Sequence, residues 1–381
     1  MFFEPVHAEL GARLVAAGGA IAAAEAAPDE AARDRAAVAA LAKAGLFELV
    51  APAYDPAVAV KVDSRSLCLA RELLGYVSPR ADSIFAVQGL GVHALLLAGT
   101  PEQRAEVRGY ARGTAIAAFA LTEPEAGSDV AAIQTRAVPV GGGYRLDGDK
   151  LFISNLGLAD HATVVASTDP GAGAGGLTAF WIPLDTPGVT VRPLTAMAPH
   201  PIGALELRGV VVPASARIGE AGQGMKLAMR TLDAFRVSVG AAAVGMARRA
   251  LDEATRFVTH RVQFGKPLGE QPLVQAHLAD MVVDLDTARL LVLRAAHRKD
   301  TTDERVTTEV SIAKLGATEA ASRVIDRAVQ LFGGRGVMAG AVVEHLYRAI
   351  RPLRIYEGTS EIQRTIIGRA QVAAFAPKPQ R

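Results

Sequence analysis

Residues 134–154 read QTRAVPVGGGYRLDGDKLFIS, and this stretch decides how the middle of the chain folds. Two runs with partial apolar–polar alternation, 134–140 and 144–154, are separated by the glycines 141–143. Alternating runs joined by a glycine-rich turn are typical of a β-hairpin. We therefore expect a hairpin here, with a sheet built around it.

Further β-like runs follow the hairpin, and Gly, Pro and Asp residues separate them. They lie at 162–167, 177–183, 189–194 and 205–212. No long helical pattern interrupts them. The pattern predicts a compact antiparallel β domain over about 119–222.

Both flanks of this β region have helical periodicity. On the N-terminal side, 29–46 is alanine-rich with Gly45 as an end signal, and 64–74 and 90–97 have the same character. Thr100-Pro101-Glu102 fits an N-cap, a proline at the first helical position and an acidic first turn. Residues 1–118 are therefore predicted to form a helical domain.

On the C-terminal side, long helical patterns cover 241–258, 273–298 and 306–332. Ala321, Ile325, Ala328 and Phe332 form one apolar stripe, and Gly333 ends the last pattern. Residues 223–381 are predicted to form a helical bundle. Because helices and strands are segregated along the chain, the fold class is α+β multidomain: a helical N-terminal domain, a middle antiparallel β domain and a C-terminal helical bundle.

Composition excludes several classes of protein. Half of the 381 residues are apolar and 21% are charged, as in a globular protein, and the net charge of +2 argues against a nucleic-acid binder. Cys68 is the only cysteine, which excludes an intrachain disulfide and a multi-cysteine metal site; its apolar neighbours indicate a core residue. No His-x-x-x-His pair occurs, so no metal is expected.

The first ten residues lack the basic region of a secretory signal, and no apolar run approaches a membrane span of about 18 residues. We expect a cytoplasmic protein without a membrane segment.

Residues 120–129, ALTEPEAGSD, form a small-residue loop with many backbone N–H groups and two hydroxyls. Such a loop can closely approach a flat ring that is rich in acceptors. The alternative is an ordinary Asx or proline turn that leads into the sheet.

The second segment, 150–155, reads KLFISN. Phe152 and Ser154 are two residues apart in it, and therefore lie on one face of a strand. They can stack on a ring and donate to its nitrogen; the alternative is a strand end with one core phenylalanine.

The third segment, 354–364, reads RIYEGTSEIQR. Pro352 stops the preceding helix, so that Glu357 falls in a short connection. Thr359 or Ser360 can cap the next helix, and Ser360 with Gln363 has capping-box spacing. The alternative for Glu357 is a solvated loop residue.

Taken in order, these segments resemble the acyl-CoA dehydrogenase family, in particular its short- and medium-chain type, from about Gly99 to the last helix. The resemblance implies a helical N-terminal domain, a middle β domain and a C-terminal four-helix bundle. It also implies bound FAD, a homotetramer built as a dimer of dimers, and electron-transfer flavoprotein as the electron acceptor.

By this resemblance, Glu357 matches the catalytic base, which removes the α-proton of an acyl thioester while the flavin accepts the β-hydride. A carboxylate suits this step because a desolvated pocket can strengthen a modest base. The thioester carbonyl must also be polarised, and the family uses the backbone N–H of the base together with a ribityl hydroxyl of FAD.

The resemblance implies two further sets of positions. Among the positions implied for FAD, Arg261 suits a pyrophosphate because its guanidinium donates two hydrogen bonds side by side. Substrate positions are Ser128, Asp233, Arg236, Tyr356 and Gly358, although Asp233 and Arg236 could simply pair at i and i+3 on a helix. FAD positions, some reached across a dimer, are Phe119, Leu121, Thr122, Gly127, Ser128, Phe152, Ser154, Arg261, Gln263, Phe264, Gln330, Gly333, Gly334, Thr359 and Glu361.

The chain departs from the family pattern in two places. Pro272 stands where the family often has Gln, and neighbouring Gln271 is the candidate replacement. Tyr54 is followed by DPAV rather than by a glycine-rich turn, which affects the thioester pocket or its carrier. In addition, Arg348, Arg351 and Arg354 form either a solvated face or a basic patch for CoA phosphates or an acidic acyl carrier protein.

The leading hypothesis is FAD-dependent α,β-dehydrogenation of an acyl-CoA in fatty acid metabolism, giving a 2-enoyl thioester. A second hypothesis is a dehydrogenase of secondary metabolism that acts on acyl groups bound to an acyl carrier protein. A third is a flavin-binding relative that has lost dehydrogenation; tight, salt-sensitive DNA binding would favour it.

Overall fold

The computed structural model describes residues 2–52 and 62–376. The loop after Tyr54 that departs from the family pattern lies outside these residues, and so does the last part of the tail.

The N-terminal region is helical, as predicted. The Asp29 side chain caps the second helix by accepting from the Ala32 N–H at 2.8 Å, and Gly45 follows that helix with a φ of 65°. Thr100 and Gln103 form a full capping box, with Pro101 as the first helical residue. The helices are α1 Pro5–Ala23, α2 Glu30–Lys43, α3 Ser64–Val77, α4 Pro79–Ala98 and α5 Pro101–Ala111.

Helix α4 is long and apolar enough to cross a membrane, which the search for uninterrupted apolar runs did not detect. However, 78% of its most apolar window is buried inside the protein. Val92 and Leu95 of α4 pack in a cluster with Tyr110 and Trp181. Burial of this kind is typical of the core helix of a globular domain.

The middle region forms one sheet, and the predicted hairpin is its centre. Arg136 pairs with Asp147 and Val140 pairs with Gly143 in antiparallel register. The sheet order is β6-β7-β3-β2-β4-β5-β8, with β1 beside β4. The strands are β1 Ala117–Ala120, β2 Arg136–Val140, β3 Gly143–Ser154, β4 His161–Ser167, β5 Leu177–Pro183, β6 Val189–Pro193, β7 Ile202–Pro213 and β8 Arg217–Ile218.

The sheet departs from the expected antiparallel arrangement at two pairings. Strand β1 runs parallel to β4, with Phe119 opposite Thr163, and β2 meets β4 in one parallel pair, Arg136 with Ser167. The sequence AAFA of β1 has no alternation that would reveal a strand, so its place beside β4 could not be predicted. The sheet buries an apolar core that includes Leu146, Phe180, Ile182, Leu205 and Val210.

The C-terminal region returns to helix, as predicted. Helices α7, α9 and α10 all pack on α8. Gly240 of α6 lies so close to α7 and α8 that a Cβ there would be 2.7 Å from Val292 and 3.2 Å from Ala317. The elements are α6 Gly224–His260, β9 Val262–Gln263, β10 Lys266–Pro267, α7 Pro272–Thr301, α8 Thr307–Phe332, α9 Val342–Ile350 and α10 Ser360–Phe375.

By compactness, the chain divides into two units. The helical unit comprises Met1–Ala12, Ser64–Pro79 and Arg236–Arg381. The sheet unit comprises Arg13–Asp63 and Arg80–Phe235. Cys68, in the helical unit, is buried as expected.

Candidate active site

In the sheet unit, the loop after β1 is organised around Glu123. The Glu123 and Ala126 backbones bond to each other twice, at 2.9 and 3.3 Å, and so close a tight turn. The carboxylate of Glu123 turns inward and accepts the N–H groups of Gln134 at 2.6 Å and Thr135 at 3.1 Å. The turn is therefore held from inside the protein by a side chain.

Lys150 of β3 completes this arrangement. Its buried ammonium lies 2.8 Å from Glu123 Oε1 and donates to the Leu121 carbonyl at 3.1 Å. Burial lowers the pKa of Lys150 to about 8, although Glu123 acts in the opposite direction. Burial also acts to raise the pKa of Glu123, but Lys150 and the N–H donors outweigh it and keep that pKa below its ordinary value. Both groups are therefore charged at neutral pH.

The predicted flavin positions of this loop occupy different depths. Leu121 is buried and Phe119 is half-buried. The carbonyl of half-buried Thr122 accepts the Leu151 N–H at 2.9 Å, which joins the loop to β3. Gly127 and Ser128 are exposed at the tip, and nothing lies within 4 Å of a Cβ built on Gly127. A flat group can therefore approach the backbone there closely.

Phe152 and Ser154 lie where β3 is irregular. The register against β7 shifts between Lys150 and Ile153, and Phe152 has a φ of 58° with 64% of its surface exposed. The regular alternation that would place both residues on one face does not hold across this bulge. Half-buried Ser154 instead has its Oγ 3.4 Å from Nε2 of His200.

In the helical unit, Glu357 lies in the connection between α9 and α10. Helix α9 ends at Ile350, two residues before Pro352, and a 3-10 turn over Arg351–Arg354 includes that proline. Glu357 and Gly358 then have positive φ angles of 53° and 93°. A left-handed glutamate is strained, and such strain persists only where neighbouring groups enforce it.

Three side chains enforce this turn through its carbonyls. Arg236 Nε donates to the Glu357 carbonyl at 3.0 Å. Lys314 Nζ donates to the Gly358 carbonyl at 2.8 Å, and Gln363 Nε2 donates to the same oxygen at 3.0 Å. All three side chains are buried. Glu357 is thus a half-buried carboxylate on a backbone that is fixed by buried donors, and the interpretation as a freely solvated loop residue is wrong.

The start of α10 corrects one expectation. Thr359 is the N-cap, because its Oγ1 accepts the Ile362 N–H at 3.3 Å. Ser360 is the first helical residue and donates to Glu319 at 2.6 Å, so the predicted capping box of Ser360 with Gln363 does not form. Glu361 is exposed, and backbone and Thr359 hydrogen bonds lower its pKa. Tyr356, just before Glu357, is also exposed.

Asp233 and Arg236 both belong to α6. Asp233 is half-buried in the sheet unit, whereas Arg236 is buried in the helical unit. The bond from Arg236 to the Glu357 carbonyl gives this arginine a structural task that the spacing alone did not predict.

The positions that the resemblance assigns to a neighbouring subunit's FAD are all exposed in the single chain. Arg261, Gln263 and Phe264 belong to the small hairpin of β9 and β10, and Phe264 is 95% exposed with a φ of 54°. Gln330, Gly333 and Gly334 lie at the C-terminal end of α8. Pro272, the departure from the family pattern, serves as the first residue of α7.

Of the three arginines at 348, 351 and 354, two pair with carboxylates of the same chain. Arg348 pairs with Glu344 at Oε2, 3.2 Å away, and Arg354 pairs with Glu319 at 2.8 Å. Arg351 is exposed. In the described structure, these three arginines therefore do not form one solvated basic patch.

Backbone strain coincides with the predicted site. Among residues 2–52 and 62–376, the non-glycine residues with positive φ are Phe152, Asn155, Phe264 and Glu357. Three of these were predicted as site residues from the sequence. Because left-handed non-glycine residues cost about 1–3 kcal/mol each and cluster at functional sites, this is an independent indication of function.

The residues predicted from the sequence did not include Lys150, Glu123 or Lys314, nor the role of Gln363. A signal for Lys314 exists: it falls between Val310, Ala313 and Ala317 on the apolar stripe of α8, where a lysine is out of place. No comparable signal marks Lys150, because its partner Glu123 is distant in sequence.

Two family descriptions match the chain. Residues 118–210 match the middle domain of acyl-CoA dehydrogenases, and residues 222–372 match their C-terminal domain. Together these segments cover more than half of the chain.

Individual proteins agree with these matches. The probable acyl-CoA dehydrogenase FadE25 of Mycobacterium tuberculosis is 38% identical over 312 residues, which are 81% of this chain and 80% of the relative. The structure of butyryl-CoA dehydrogenase from Megasphaera elsdenii is similar with a TM-score of 0.86 at 32% identity, covering 97% of this chain and 99% of that one. The prolyl acyl carrier protein oxidase AnaB is similar with a TM-score of 0.84 at 28% identity, covering 97% and 99%.

Proposed function

The chain belongs to the acyl-CoA dehydrogenase family, and from that premise we propose that it converts an acyl-CoA thioester to its 2-enoyl thioester, with Glu357 as the base. In this proposal Glu357 removes the α-proton, and Gly358 leaves room for the thioester. The observation that carries the proposal is the strained, donor-fixed backbone of Glu357, because a base must be held in one place to act on a weak carbon acid.

We propose FAD as the cofactor, which when bound supplies the acceptor for the β-hydride. The sheet unit fits such a group. The loop fixed by Glu123 and Lys150 has open space at Gly127, and Phe152 has a largely exposed ring. The residues of this unit that would hold it are Phe119, Leu121, Thr122, Gly127, Ser128, Phe152 and Ser154. Thr359 and Glu361 are proposed as further FAD contacts.

We further propose that the enzyme is a homotetramer in which each FAD is contacted from a neighbouring subunit by Arg261, Gln263, Phe264, Gln330, Gly333 and Gly334. Their exposure in the single chain supports this proposal. Asp233, Arg236, Tyr356 and Ser128 are proposed to contact the substrate. Electron-transfer flavoprotein as acceptor, a cytoplasmic location and the domain boundaries 1–118, 119–222 and 223–381 are proposals of the same kind.

The test is anaerobic mixing of the purified flavoprotein with a panel of acyl-CoA thioesters while flavin absorbance is recorded. We expect acyl-CoA thioesters of one chain-length class to bleach the flavin.

Glu357→Gln should keep FAD and lose about 10²–10⁴-fold in the rate of flavin reduction, which is the usual contribution of a general base.

The matched control is Glu344→Gln, which removes a carboxylate from α9 that pairs with Arg348. This variant should reduce its flavin at the rate of the unaltered protein. Near-normal reduction in Glu357→Gln would show that another residue is the base.

A second candidate substrate is an acyl group on an acyl carrier protein. The similarity to the oxidase AnaB over nearly the whole chain favours it. The same panel, extended with carrier-bound acyl groups, separates the two: bleaching by carrier thioesters alone would select this candidate.

A further inference from the structure

Lys314 is a buried cation in the helical unit. Its side chain lies on α8 with no exposed surface, and its Nζ donates to the Gly358 carbonyl at 2.8 Å. Burying an ammonium is costly unless charged or polar partners compensate it. A buried lysine among the apolar residues of α8 therefore indicates a specific role for its ammonium.

The charges around Lys314 come from three other elements as well as α8. Burial lowers the pKa of Lys314 to about 8, and Glu357 is the strongest charge that opposes this shift. Arg236 of α6 reinforces the lowering, while Glu319 of α8 and Glu361 of α10 oppose it. Glu319 is already shared by Arg354 and Ser360, which leaves Glu357 as the main anionic counterpart.

Electrostatic interaction is reciprocal. If the carboxylate of Glu357 stabilises the ammonium of Lys314, the ammonium stabilises the carboxylate equally. Arg236 adds a second positive charge on the same side, because its guanidinium bonds to the Glu357 carbonyl.

The same lysine also supports the turn. Gly358 has a φ of 93°, and its carbonyl accepts from both Lys314 and Gln363. Gln363 belongs to α10, which follows the turn directly, whereas Lys314 belongs to α8. The two donors thus tie the turn to two different helices.

We propose that Lys314 is a positioning residue for Glu357: it holds the left-handed turn through the Gly358 carbonyl, and its ammonium is the buried electrostatic partner of the Glu357 carboxylate. This inference rests on the proposed function, in which Glu357 is the base.

Two variants separate the two parts of the proposal. Lys314→Gln removes the charge and keeps a donor, whereas Lys314→Met removes both. In each, the acidic limb of kcat/KM against pH should move up by about one pH unit, with a tenfold loss at pH values below the limb. Only Lys314→Met should also lose kcat, by roughly tenfold, at alkaline pH where Glu357 is ionised in any case.

Infrared titration gives a readout that does not require turnover. The carboxyl signal of Glu357 is identified by its loss in Glu357→Gln. Its titration midpoint should rise by about one unit in both Lys314 variants. This measurement keeps the inference testable even if no thioester reduces the flavin.

The control is Ser311→Ala, which alters another buried residue of α8 one turn before Lys314. It should leave both the pH profile and the midpoint unchanged. An unchanged midpoint in Lys314→Gln and Lys314→Met would overturn the inference while leaving the proposed function intact. A shifted midpoint without any flavin reduction would instead overturn the proposed function.

Discussion

A single buried ion pair prepares the loop of the sheet unit before any ligand arrives. Glu123 and Lys150 are both buried, and they bond to the backbone of Leu121, Gln134 and Thr135. Breaking a buried pair costs more than the pair contributes, because the remaining charge has no compensation.

Lys150→Met should therefore lower the free energy of unfolding by about 3 kcal/mol, as measured by urea denaturation. It should also weaken FAD retention, because the Leu121 carbonyl loses its donor. Lys226→Met, at an exposed lysine of α6, is the control and should change neither. If both lysine variants were equally stable, the pair would have no structural role.

Burial makes the Cys68 thiol inert. Burial is the main cause that raises its pKa above the ordinary value of 9.0, and the thiolate is the reactive form. The folded protein should not react with a disulfide reagent at pH 8, and reaction should follow the rate of global unfolding. Because Cys68 is the only cysteine, a rapid phase in the native protein would contradict this directly.

The same thiol makes stability depend on pH. Its folded pKa is raised, so its contribution is fully present below the ordinary thiol value of 9.0 and is lost as the pH rises above it. Between pH 8 and 10.5, the free energy of unfolding should fall by about 2 kcal/mol more in the unaltered protein than in Cys68→Ala. Parallel falls in the two proteins would show that other groups are responsible.

At this scale, the sequence identified residues by type and order but not by conformation. Glu357 was singled out as the base from its segment, and this stays a prediction. Cys68 was predicted as a core residue from its neighbours, and its burial confirms this. The left-handed turn at Glu357 could not be predicted, because it is enforced by Arg236 and Lys314, which are distant in sequence.

Among the elements, the stability of α10 depends on its N-cap residue, Thr359. Thr359 satisfies the Ile362 N–H, one of the free donors at a helix start. Thr359→Ala should lower the free energy of unfolding by about 1 kcal/mol, and Thr359→Ser should restore most of it. Denaturant midpoints of the two variants provide the measurement, and identical midpoints would assign the start of α10 to packing alone.

Periodicity predicted most elements because each helix or strand carries its own local pattern. The hairpin of β2 and β3, the cap at Thr100 and the end of α8 at Gly333 are examples. The parallel strand β1 and the bulge at Phe152 were missed. Both depend on pairing partners, β4 and β7, that lie elsewhere in the sequence.

At the scale of the whole molecule, substitutions in the small hairpin of β9 and β10 test the proposed assembly into a homotetramer. Phe264 is 95% exposed, and Val262 of the same hairpin is 51% exposed. Exposed apolar residues that lie together mark interaction surfaces. Phe264→Ser should shift the protein toward smaller species by light scattering, and Arg261→Ala should release FAD on dilution. Val15→Ser, at a similarly exposed apolar residue of α1, should do neither. An unchanged mass in Phe264→Ser would remove this hairpin from the proposed interface.

The helix–sheet–helix order of the chain followed from periodicity alone. What could not follow is that residues Met1–Ala12 and Ser64–Pro79 belong to one compact unit with Arg236–Arg381. Such a grouping depends on contacts between segments that are far apart in sequence. Arg65 with Asp300 and Glu72 with Arg289 are two examples.

The two buried lysines also bear on how long such an enzyme lasts. A lysine amine reacts with a thioester only when its nitrogen is unprotonated and accessible. Lys150 and Lys314 are both shielded from solvent, and each donates from its nitrogen to a carbonyl oxygen, so neither offers a free amine to a thioester. Their burial thus protects the catalyst from chemical damage by the very class of compound on which its family acts.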